Sequence, residues 1–163
     1  MRRHLVNQAN KALHLLYKRL YNLNLPFDLA IKLFDHTIVP ILTYSCEVWG
    51  YEDLALIERV HCNFLRNLFK LRKSTPLYML YGRTGIYPLF IVIKSKIIGY
   101  WLSLLEGDTN KLSFKLYKCM LNTPNFESKW VKNIKSILIE TGNTYLREQQ
   151  DTTHSISIKH III

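Results

Sequence analysis

The run LFDHTIVPILTYSCEVWG, residues 33–50, sets the strongest constraint on how this chain folds. It is apolar enough to be buried, yet Pro40 stands at its centre. A proline there removes a helical hydrogen bond and its ring collides with the preceding turn, so a bend or break is expected near Pro40. The stretch after it, 41–49, is too short for its period to separate helix from strand. A helix resumed after the kink is the preferred reading, and a strand is the alternative. Trp49 closes the run beside Gly50, which permits close packing, so Trp49 is expected to be buried.

Helical spacing recurs around this run. Leu5, Ala9, Leu13, Leu16 and Leu20 stand three and four apart, predicting an amphipathic helix over 4–22. Pro26 suits the first turn of a second helix, which Leu29, Leu33 and Phe34 carry to about His36. Glu52 and Asp53 give a negative first turn to a third, with Leu54, Ile57, Val60 or His61, Phe64, Leu65 and Leu68 as its apolar stripe. Ser74, Thr75 and Pro76 read as a cap before a short helix over 77–81, followed by a turn over 82–87. A long helix runs from Pro88 to about Glu106, and two more cover 110–122 and 126–140, separated at 123–125 and stopped by Gly142. The expected fold is all-α, a compact bundle of about six to seven helices over 1–150, with a disordered or unrelated tail over 151–163.

Apolar residues form 48% of the chain, ample for a core. Twenty-two Lys and Arg against twelve Asp and Glu leave a formal charge of +10, which attracts polyanions, and nucleic acid is the commonest. The three cysteines have no paired spacing and fit a reducing, intracellular compartment, cytoplasmic or nuclear. The most hydrophobic window, 87–105, carries Lys94 and Lys96 near its middle, so a buried helix is expected and no membrane partner. The first 27 residues hold five basic residues and no acid, but lack the serines of an organelle leader and merge into the next helix without a linker.

No arrangement for catalysis stands out. Two-metal polymerase chemistry needs clustered carboxylates, and the only adjacent pair, Glu52 and Asp53, opens a helix. The six histidines show no zinc spacing, and no glycine-rich phosphate loop is present, so no cofactor or metal is expected. Basic residues offer more. Arg66, Lys70, Arg72 and Lys73 fall in the longest acid-free window, between Glu58 and Glu106. Lys111, Lys115 and Lys118 are spaced to share a helix face, as are Lys129, Lys132 and Lys135. Each lysine set is a candidate phosphate track or a solvated face, and the first set either meets phosphates or only complements the helix dipole.

The words PILTYSCEVWG (40–50), IERVHCNFLRNLFKLRKSTP (57–76), YGRTGIYPL (81–89), IIGYWLSLL (97–105) and, more weakly, WVKNIKSILIETG (130–142) occur in an order that resembles non-LTR (LINE-type) retrotransposon reverse transcriptases. The similarity runs over about 13–145, in the region beyond the palm that works as thumb and connector. The resemblance implies a non-enzymatic helical fragment, since the family's catalytic acids lie in a part this sequence does not match. Its expected partners are RNA–DNA or RNA duplex, bound weakly and with salt dependence, and a reverse transcriptase palm and fingers. Many relatives carry an acid where Arg83 stands and a base where Ile86 stands, so an ion pair is lost at that turn. The alternative function is a domesticated helical protein-interaction domain with no nucleic-acid role.

Overall fold

A computed structural model describes residues 2–51, 53–122 and 128–148. The expected tail over 151–163, the connector 123–125 and Glu52 lie outside the described residues. The fold is all-α. Among the described residues there are ten helical segments, seven of them eight residues or longer, and no strand. Packing groups the chain into two compact units: residues 1–45 with 53–92, and residues 46–52 with 93–163.

In the first unit, α1 (Arg2–Leu23) buries Leu5, Ala9, Leu13 and Leu16 of the predicted stripe, while Leu20, near its end, is only half-buried. Pro26 precedes α2 (Phe27–Thr37) as its extended N-cap, one position earlier than expected, and its carbonyl accepts from the N–H of Leu29 and of Ala30. The ladder then weakens where Pro40 stands, near the start of α3 (Val39–Leu42). The N–H of Ile38 still reaches the Phe34 carbonyl and that of Leu42 reaches Ile38, but the proline has none to offer. The resumed helix expected over 41–49 is itself divided. Thr43 Oγ1 donates back to the Val39 carbonyl at 2.9 Å, and Ser45 takes a left-handed φ of 52°, which ends α3.

Downstream of α4 (Cys46–Trp49), which belongs to the second unit, Asp53 accepts from the Ala55 N–H at 2.9 Å. It so caps α5 (Ala55–Leu68), the central helix of the first unit. That helix buries Ile57, Val60, His61, Phe64 and Leu65. The Phe64 ring stacks on Phe34 with centroids 4.0 Å apart, joining α5 to α2. The next helix, α6 (Leu77–Thr84), runs three residues beyond the expected end at 81, because Gly82 and Arg83 are helical and left-handed Gly85 makes the stop.

In the second unit, α4 buries both its terminal residues, Trp49 among them as expected. A Cβ at Gly50 would stand 2.5 Å from the Cys46 carbonyl oxygen and 2.6 Å from Ile93, so only glycine fits there. The long helix α7 (Leu89–Leu105) presents Ile93, Ile97, Trp101 and Leu102 to this core. It is joined by α8 (Leu112–Asn122), α9 (Lys129–Glu140) and α10 (Tyr145–Glu148). Two indoles are hydrogen-bonded: Trp101 Nε1 to Tyr117 Oη at 2.9 Å, and Trp130 Nε1 to the Glu47 carbonyl at 2.7 Å. No described helix is long and apolar enough to cross a membrane.

Candidate nucleic-acid interface

The end of α5 is shaped by its backbone. The N–H of Leu71 returns to the Arg66 carbonyl at 2.8 Å and that of Lys70 to Asn67, the closure of a helix that ends in a left-handed residue. That residue is Lys70, at φ 52°. Glycine ordinarily fills such a position, since a Cβ there costs about 1–2 kcal/mol. Lys70, Arg72 and Lys73 are all exposed on the resulting loop. Arg66 has another role. It is half-buried and its Nη2 donates to the Thr75 carbonyl at 3.0 Å, so it ties the loop back to α5.

Two further contacts fix this corner of the first unit. Asn67 Nδ2 donates to Tyr17 Oη at 3.0 Å, joining α5 to α1. Phe69 stacks on Phe27, the first residue of α2, with centroids 5.5 Å apart and planes inclined by 25°. Neither pair has a local sequence signal, because the partners lie about forty or fifty residues apart.

The lysine rows belong to the second unit. Lys111 stands just before α8, where its carbonyl accepts from the Lys115 N–H. With Lys118 it forms an exposed row at helical spacing, and Lys118 Nζ lies 5.0 Å from the centre of the Phe114 ring. On α9, Lys129 and Lys132 are exposed and Lys135 is half-buried.

A polar group of another kind surrounds Glu58 on α5. Tyr81 Oη donates to its carboxylate, and the backbone N–H groups of Leu89 and Phe90 approach it at 3.4 and 3.2 Å. Glu58 thus caps the start of α7 from another helix, where a negative charge meets the positive end of the dipole. His61 Nδ1 stands 3.7 Å away, and Cys62 Sγ lies 3.1 Å from Tyr81 Oη. Burial alone would push the Glu58 carboxyl up, but the facing His61 and Tyr81 and the Phe90 N–H outweigh it and hold it below the usual glutamate value. Burial pushes the Cys62 thiol up, and that of Cys46 up to about 11, so neither is a ready nucleophile. Among the described residues no three His, Cys, Asp or Glu side chains are grouped to hold a metal ion.

No family model, no curated protein and no solved structure matches the chain.

Proposed function

We propose that this chain is a thumb-like fragment of a LINE-type reverse transcriptase and that it binds the backbone of an RNA–DNA duplex without catalysing synthesis. The observation that carries the reading is exposure. Lys70, Arg72, Lys73, Lys111, Lys115, Lys118, Lys129 and Lys132 all reach solvent, on a chain of net charge +10. Lysine and arginine on helix faces and loops meet phosphates and position a duplex without reading its sequence. The order of the sequence words from PILTYSCEVWG onward supports the family.

A second reading has its own support. Leu112, Leu116 and Met120 recur every four residues on α8 and are 72%, 50% and 38% exposed. Such a stripe suits a protein partner, either a polymerase palm and fingers or an unrelated protein. Binding to an RNA–DNA hybrid across a salt series separates the two. Backbone binding weakens linearly on a log–log plot as salt rises. Self-association or protein capture with no salt-dependent hybrid binding would favour the second reading. Primer extension by purified chain with Mg²⁺ or Mn²⁺ would overturn the non-catalytic assignment.

A further inference from the structure

We propose that the Phe27–Phe69 pair is a stacking platform for the base of an unpaired nucleotide, with Lys70, Arg72 and Lys73 holding the adjoining phosphates. This rests on the nucleic-acid reading above and extends it from duplex to single strand. Phe27 is 57% exposed, although it already stacks on Phe69. A lone exposed phenylalanine needs no explanation. This one is held in place by a second ring, and that ring is the residue immediately before the left-handed Lys70.

The backbone therefore places an exposed aromatic face and a basic loop at one corner of the first unit. Arg66 and Asn67 brace it, through the Thr75 carbonyl and the Tyr17 hydroxyl. The loop carries three cations, and no acid lies between Glu58 and Glu106 in the sequence. Aromatic face plus cations is the chemistry by which single-stranded nucleic acid is bound with little sequence preference, since every base has a π-face. Duplex offers no free base to the ring, so the two ligand forms distinguish the platform from the backbone contacts.

The test is fluorescence binding of the full chain to oligothymidine and, separately, to an RNA–DNA hybrid. Phe27→Ala is expected to weaken oligothymidine binding about 5- to 150-fold and to leave hybrid binding unchanged. Phe27→Leu, which keeps the apolar bulk, should lose the same binding, and Phe27→Tyr should retain it. The Leu and Tyr variants decide the matter if the alanine variant does not fold by circular dichroism. Parent-like oligothymidine binding by folded Phe27→Leu would overturn the platform, as would an equal loss on hybrid. Failure of the parent to bind either ligand would overturn the nucleic-acid reading together with it.

Discussion

The two units hold their basic residues in different ways. In the first, Lys70, Arg72 and Lys73 sit on irregular backbone that is fixed by a left-handed residue, by Arg66 and by the packing of Phe69. In the second, the lysines of α8 and α9 line helix faces. Their cores differ in the same sense. Beside its apolar core the first unit holds a half-buried polar network around Glu58, whereas the second is built on Trp49, Ile97, Trp101, Ile134 and Leu138, with the Trp101–Tyr117 hydrogen bond inside it. A loop tied back to its helix, as Arg66 ties this one, can present cations in one geometry, while lysines on a helix surface supply charge with little orientation. The first arrangement suits a specific contact, and the second suits general attraction to a polyanion.

The largest effect that would sharpen this contrast is in the second unit. Trp49 is 8% exposed, and Trp49→Ala is expected to cost about 3–5 kcal/mol, read by denaturant unfolding. A variant that unfolds with the parent's midpoint would show that this core does not depend on it.

Glu58 comes next. Glu58→Ala removes the carboxylate that accepts from the Tyr81 hydroxyl and from the first N–H groups of α7, at an expected cost of about 2–3 kcal/mol. The pH dependence has a definite sign. The folded carboxyl titrates below its ordinary 4.5, so its contribution is fully present above that value and declines as pH falls through the lower folded one. Glu58→Gln should lack this acid-side decline. Parallel acid limbs in the parent and the Gln variant would show that Glu58 does not set the acid stability.

What could be read beforehand, and what could not, follows the range of the interactions. Leu5, Ala9, Leu13 and Leu16, four of the five expected stripe residues, and the break near Pro40 rest on spacing and ring sterics, which are local, and both are found. Trp49 was also legible, because it ends an apolar run beside a glycine that the packing requires. The division of 41–49 was not, since it depends on Ser45 taking a left-handed turn that serine does not advertise. The stop of α6 moved because Gly82 tolerates helix and Gly85 makes the turn. At the candidate interface, the basic residues were visible as a charge pattern. The part of Arg66 in tying the loop, and the Phe27–Phe69 and Tyr17–Asn67 pairs, depend on contacts between distant segments.

A smaller effect bears on the loop itself. Lys70→Gly relieves the left-handed Cβ but adds freedom to the unfolded chain, for a net gain of about 0.5–1 kcal/mol. The same change should weaken hybrid binding. A gain in stability with unchanged binding would mean that the lysine meets no phosphate there.

The most direct measurement is the salt dependence of hybrid binding after Lys70, Arg72 and Lys73 are changed together to Gln. The log–log slope should flatten by about 2–3 units, roughly one for each phosphate no longer neutralised, with helicity by circular dichroism unchanged. An unaltered slope in a folded variant would contradict the assignment of this loop to the duplex backbone and leave any binding to the lysines of α8 and α9.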